Sequence, residues 1–291
     1  MSTIFFGLCT ATAWSIADIF IVHSTRTVKP LAAAAWVNLI GAVSFGIYYI
    51  FFVADSLPSD TIGVGLSAAA GVFIIIASAF FFEAINRGPV GLVSALSGTY
   101  PAVTLALATL VFGATITANQ GIGFAMVVIG VVVAAAFHAG PASSEKQNGS
   151  GIVQALVAAC FWGMGYGLLG EAVTRVGWMA ASLVQFATIA LFCFLCIVKT
   201  RKRDHSGSDN ILTPMFNPFI LGAALTQQTG AVLLNIGLGG DAAGGAITVA
   251  LSACYPVLTA ILAFFLFNER ISKIVLFGGL LAIGGIVVLL L

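Results

Sequence analysis

ALSGTYPAVTLALA (Ala95–Ala108) and ALSACYPVLTAILA (Ala250–Ala263) lie 155 positions apart, and 8 of their 14 positions are identical. Ala95, Leu96, Ser97, Tyr100, Pro101, Thr104, Leu107 and Ala108 each meet their own kind. The same offset pairs Gly123 with Gly278 and Gly130 with Gly285. An offset of 148 brings Trp14 onto Trp162, and one of 147 brings Asn38 onto Gln185. The chain therefore contains an internal repeat. The drift in offset is absorbed by a longer loop after residue 198 in the second half.

The surroundings of the repeat fix its solvent. Of 291 residues, 60% are hydrophobic and 7% are charged, against roughly 25% charged in soluble domains. Twenty-one charges cannot build a water-facing surface on such a chain, so it is an integral membrane protein. Disorder and a secreted disulfide scaffold are excluded by the same figures. The five cysteines (Cys9, Cys160, Cys193, Cys196, Cys254) all sit in apolar stretches and read as packing residues. A net charge of +1 offers no basic face for nucleic acid.

A helix needs about 20 apolar residues to cross the hydrocarbon core. Ten such segments are predicted: Thr3–Val22, Leu31–Val53, Ile62–Ile85, Val90–Phe112, Ala118–Phe137, Ile152–Val173, Trp178–Val198, Phe216–Leu238, Gly244–Phe267 and Ile274–Leu291. Transmembrane barrel strands would alternate apolar and polar residues. Runs such as GVFIIIASAFFF do not alternate. The first 20 residues lack the basic start of a signal peptide. The expected fold is all-α, with residues 1–139 and 152–291 as five-helix repeats joined by a linker at 140–151. Five is odd, so the second repeat enters the membrane inverted relative to the first. Inverted repeats are the mark of secondary transporters, whose substrate sits near the midplane at the repeat interface.

Lys and Arg give the orientation. The odd-numbered loops hold Arg26, Lys29, Arg87, Lys146, Lys199, Arg201, Lys202, Arg203, Arg270 and Lys273; the even-numbered ones hold Arg175 alone. The odd loops are expected in the cytoplasm and both termini outside.

AWSIAD (Ala13–Asp18), AINRGPVGLVSALSGTYP (Ala84–Pro101) and the stretch from ALSACYP through FNERIS (Ala250–Ser272) resemble the ten-helix, EamA-type members of the drug/metabolite transporter superfamily. The resemblance runs over essentially the whole chain. FGATIT (Phe112–Thr117) stands where such proteins often carry a Gly-Glu-Arg-like turn, which survives in the second half as Asn268–Glu269–Arg270. The resemblance implies a carrier of small metabolites, amino acids among them, and does not name one. Relatives are usually drawn with cytoplasmic termini, opposite to the charge bias here.

Several residues stand where lipid would not tolerate them. Pro101 and Pro256 fall inside spans, where each removes a helical donor and kinks the helix. The carbonyls of Ser97 and Ser252 are thereby freed, so these segments read as cavity walls carrying Tyr100 and Tyr255, or as packing bends. Asp18 is the single carboxylate well inside a span, and charge there costs about 2.5–3.5 kcal/mol on mild scales. It reads as a proton-coupling group, a counter-charge to a substrate amine, or a partner of Arg26 and Lys29. Trp14 and Trp162 lie mid-span, too deep for interfacial anchors, and line a pocket or pack. Tyr166 takes in the second half the place of Asp18 in the first. Asn38, Gln185, Gln227, Gln228 and Asn235 are neutral polar groups that contact substrate or bond across helices. Glu83 with Arg87 and Glu171 with Arg175 read as rim ion pairs. The glycines at 121, 123, 130, 278, 279, 284 and 285 fit close packing in a scaffold. No metal-ligand cluster, nucleotide loop or catalytic triad is visible, and no cofactor is implied; the three histidines stand apart.

The substrate site is thus expected at Trp14, Asp18, Asn38, Ser97, Tyr100, Trp162, Tyr166, Gln185, Gln227, Gln228, Ser252 and Tyr255. The expected activity is secondary transport, as an exporter, of a small neutral, zwitterionic or aromatic metabolite in a bacterial inner membrane. With both repeats in one chain, a monomer suffices. The alternatives are a lipid or lipid-linked-sugar flippase on the same fold, and a membrane-embedded enzyme, which would need a second acid or a histidine at membrane depth.

Overall fold

The computed structural model describes residues 2–53, 60–88, 90–136, 150–203, 213–240, 242–267 and 273–289. Its elements are α1 (Ser2–Thr27), α2 (Pro30–Phe52), α3 (Thr61–Arg87), α4 (Val90–Ser97), α5 (Tyr100–Leu110), α6 (Ala118–Ala136), α7 (Ser150–Arg203), α8 (Pro218–Leu238), α9 (Ala242–Ser252), α10 (Tyr255–Phe267) and α11 (Lys273–Leu289). No strand occurs among the described residues, so the fold is all-α as expected. Large apolar side chains face outward, Phe51 at 76% exposure and Leu110 at 84%, which suits hydrocarbon and not water. Residues 137–149, with most of the expected linker and with His138 and Lys146, residues 204–212 with His205, and residues 268–272 with Arg270 lie outside the described residues.

Starts and stops follow local chemistry. Asp60 caps α3, its carboxylate accepting from the amides of Ile62 and Gly63, which satisfies two of the donors orphaned at a helix start. Asn217 caps α8 by accepting from Phe219, with Pro218 at the first helical position, where its missing N–H costs nothing. α7 runs unbroken by backbone bonding but turns back at Gly177, whose φ of 78° is open to glycine at little cost. Close approaches to α3 trace the fold-back. Gly63 meets Val176, Gly71 meets Gln185 and Thr188, Ile74 meets Gly165, and Gly88 meets Gly151. Residues 150–176 therefore run antiparallel to α3 and residues 178–203 parallel to it. The two expected spans on either side of residue 177 are thus two arms that run in opposite directions along α3.

The kink expected at each proline takes the form of a two-residue interruption within one apolar helical stretch, Leu92–Leu110 and Ile247–Leu262. The helix stops at Ser97 and restarts at Tyr100, and again stops at Ser252 and restarts at Tyr255. Each proline sits in the first turn of the new helix, where it needs no partner. A proline can be accommodated by bending or by restarting, and here two turn residues reset the chain.

α6 and α11 pack through glycine. A side-chain carbon on Gly130 would lie 2.5 Å from the Ala282 nitrogen and 2.6 Å from the Gly278 oxygen. One on Gly285 would lie 2.6 Å from the Gly123 oxygen and 2.7 Å from the Val127 nitrogen. These are the same contacts with the repeats exchanged, since 123, 127 and 130 map onto 278, 282 and 285. Reciprocity of this kind belongs to surfaces related by a two-fold. Both rims carry ion pairs. Glu83 pairs with Arg87, and Arg175 bonds Glu171 at 2.8 Å and stands 3.9 Å from Asp60.

Gly130→Val is expected to force α6 off α11, destabilising the protein by about 1–3 kcal/mol as overpacking does. A lowered melting temperature in detergent checks this; an unchanged one means that the helices are not held at backbone contact.

Candidate functional site

The functional site assembles where the broken helices meet. Tyr100 begins α5, and its hydroxyl pairs with the Ser252 hydroxyl at the end of α9. Tyr255 begins α10, and its hydroxyl lies 2.8 Å from Ser97 Oγ at the end of α4 and donates to the Ser94 carbonyl at 3.0 Å. Each tyrosine of one half thus reaches the serine at the other half's break. The two serines also donate locally, Ser97 to the carbonyls of Val93 and Ser94, and Ser252 to that of Val249. Both serines are fully buried.

In front of this crossing lies a cavity of about 740 Å³ including its opening. Ten of the twelve expected residues line it: Trp14, Asp18, Asn38, Tyr100, Trp162, Tyr166, Gln185, Gln227, Gln228 and Tyr255. Ser97 and Ser252 do not. They stand behind the tyrosines, so their expected place on the wall is corrected: their hydroxyls are used up in joining the halves. Trp14, read as either pocket or packing, is central. Its ring centroid lies 5.9 Å from Tyr166, 5.9 Å from Tyr255 and 6.2 Å from Tyr100, and Tyr100 lies 5.3 Å from Tyr166. Its indole nitrogen donates to the Gln227 carbonyl at 3.3 Å. Gly230 makes room for that ring, since a side-chain carbon there would lie 2.4 Å from Trp14 Cδ1. Trp162 packs at 5.0 Å against Phe81, another wall residue.

Asp18 lies one turn beyond Trp14 on α1 and is 3% exposed. Its Oδ2 accepts from Ser94 Oγ at 2.8 Å and from Thr259 Oγ1 at 3.1 Å. The pairing with Arg26 or Lys29 considered from sequence is not what holds it; two hydroxyls from two different elements do. The neutral groups divide by role. Asn38 donates back to the Ala34 carbonyl of its own helix. Asn235 donates to Ser182 and to Gln185 Oε1, tying α8 to the second arm of α7. Oε1 of Gln227 and Nε2 of Gln228 are buried with no hydrogen-bond partner in the structure. A buried polar atom without a partner costs about 1–3 kcal/mol, which a bound polar molecule would recover.

Sequence reasoning missed Ser94, Thr259 and Gly230. Thr259 carried a usable signal, for it repeats Thr104. That residue donates instead to the Gly163 carbonyl at 3.1 Å, beside Tyr166. Ser94 carried none, because its counterpart is Val249.

The profile of the EamA-like transporter family matches residues 1–136 and 149–291. A protein of Archaeoglobus fulgidus named an uncharacterized transporter is 24% identical over 213 residues, covering 72% of each chain. An uncharacterised protein of Methanocaldococcus jannaschii is 25% identical over 132 residues, which are 45% of this chain and 95% of that one. A solved crystal structure superposes with a TM-score of 0.70 at 20% identity, covering 99% of this chain and 96% of the other; it is similar in fold.

Tyr100→Phe is expected to lower stability by about 0.5–1.5 kcal/mol, the net worth of one hydrogen bond. In a double-mutant cycle with Ser252→Ala, the coupling is expected near the average of about 0.6 kcal/mol for bonds between membrane helices. Unfolding by SDS titration measures both, and a coupling of zero would mean that the crossing holds nothing. The helical fold of apolar spans and the two profile matches, which together take in nearly every residue, agree: the chain is a multi-pass membrane protein that belongs to the EamA-like transporter family of the drug/metabolite transporter superfamily.

Proposed function

We propose that this protein is a secondary transporter that exports a small neutral, zwitterionic or aromatic metabolite, such as an amino acid, by alternating access. The observation that carries this reading is the convergence of ten polar and aromatic residues, from both halves of the sequence, on one cavity. In the proposed architecture ten spans form two inverted five-helix repeats, residues 1–139 and 152–291, acting as a monomer in a bacterial inner membrane. The reciprocal Tyr–Ser and Gly contacts support a two-fold relation between the repeats. So do the two separate profile matches and the relative that aligns with less than half of this chain over nearly all of its own length. Alternating access then rocks one repeat against the other around the cavity.

Asp18 is the proton-coupling candidate. It is buried, it faces the cavity, and its two hydroxyl partners come from α4 and α10, one on each side of the crossing. A change in its protonation alters both contacts at once. In liposomes tested against a panel of labelled amino acids and aromatic amines, Asp18→Asn is expected to abolish uptake driven by a pH gradient while sparing counterflow, because exchange at fixed protonation needs no titrating group. Unchanged pH-driven uptake would remove Asp18 from coupling.

The proposed orientation puts odd loops in the cytoplasm and both termini outside. In a cysteine-free background, Arg175→Cys is expected to react with an impermeant thiol reagent on intact cells and Lys29→Cys only after permeabilisation. The reverse pattern would turn the protein over.

A further inference from the structure

We propose that Asp18 and Trp14 form a subsite for an organic ammonium group carried on an aromatic body, so that the preferred solute is an amine without a free carboxylate. The inference rests on the transport reading and narrows it.

Three observations lead there. First, both hydroxyl donors to Asp18 are taken by Oδ2, and Oδ1 has no hydrogen-bond partner among the described residues. The residue is 3% exposed and on the cavity wall, so Oδ1 is an acceptor left without a protein donor beside the cavity. Second, Trp14 stands four residues before Asp18, one helical turn away on α1, and lines the same cavity, with Tyr100, Tyr166 and Tyr255 packed against it at 5.9–6.2 Å between ring centroids. A cation within about 6 Å of an aromatic face is attracted by its quadrupole, most strongly at tryptophan. An ammonium seated in the cavity on Asp18 would thus have aromatic lining one turn away. Third, the lining holds no lysine, arginine or histidine.

That last point separates an amine from an amino acid. In an α-amino acid the ammonium and carboxylate share one carbon. Seating the ammonium on Asp18 would bring the second carboxylate into the same enclosed space, beside a like charge and with no cation to neutralise it. Burying an uncompensated charge is among the costliest steps available to a protein. An amine leaves one charge pair and no remainder. The unpartnered Gln227 Oε1 and Gln228 Nε2 suit a neutral polar substituent at the other end of the solute.

The test uses three compounds with one aromatic body: 2-phenylethylamine, phenylalanine and 2-phenylethanol, titrated calorimetrically into the full-length protein in lipid nanodiscs. The amine is expected to bind at least about tenfold tighter than either of the others, a difference of about 1.4 kcal/mol. Asp18→Asn is expected to bring the amine down to the affinity of the alcohol. Competition on the unaltered protein gives the same ranking without relying on the variant's folding. Phenylalanine binding as tightly as the amine, full amine affinity in Asp18→Asn, or no amine binding at all would each overturn the proposal. Liposome flux separates it from the transport reading. An amine that binds but never crosses defeats transport and leaves the subsite standing. Phenylalanine that crosses while the amine neither binds nor competes defeats the subsite and leaves transport standing.

Discussion

A polypeptide that breaks a helix inside a bilayer leaves peptide groups that lipid cannot satisfy. This chain breaks two, at residues 98–99 and 253–254, and brings both breaks to one place. There the tyrosine that opens each new helix bonds the serine that closes the other half's old one. Irregular backbone is tolerable at that depth because it is enclosed by protein and by a polar cavity. The rest of the site depends on this crossing. It aims Tyr100 and Tyr255 at the cavity, places Trp14 between them, and sets Ser94 and Thr259 on either side of Asp18.

Small residues let the elements come close enough for that geometry. Gly163 lies against the Tyr100 carbonyl and Val103, so the first arm of α7 sits almost on the backbone of α5. Gly230 yields its space to the Trp14 ring, and Gly41 yields to the Gln228 side chain. In hydrocarbon, close backbone approach is a main source of helix association. Gly230 thereby decides where the Trp14 ring stands, and so gives the cavity part of its shape.

The apolar runs made the helices legible in the sequence, and the repeat made the pairing of halves legible, because hydropathy and identity are local properties. Ten of the twelve expected residues line the cavity, and all were picked by one criterion: a polar or aromatic group at a depth where lipid penalises it. The criterion fails for Ser97 and Ser252, since it cannot tell a group facing a cavity from one facing another side chain. It also fails for Ser94 and Thr259, because a hydroxyl that can bond its own helix carries no penalty in lipid and gives no sign of its second partner. The restart at each proline was beyond reach as well. A bend and a break answer the same missing N–H, and hydropathy is the same for both.

Asp18 and Tyr166 occupy equivalent places in the two repeats, a carboxylate in one and a phenol in the other. A dimer of two identical half-length chains could not make that choice, for it would carry either two acids or none around the shared axis. Two acids in one enclosed space cannot both stay ionised at modest cost. Joining the halves in one polypeptide lets each position drift alone, so a symmetric shell can hold a single negative charge. Two different residues at matching places in one chain thus leave a single carboxylate among the residues that line the chamber.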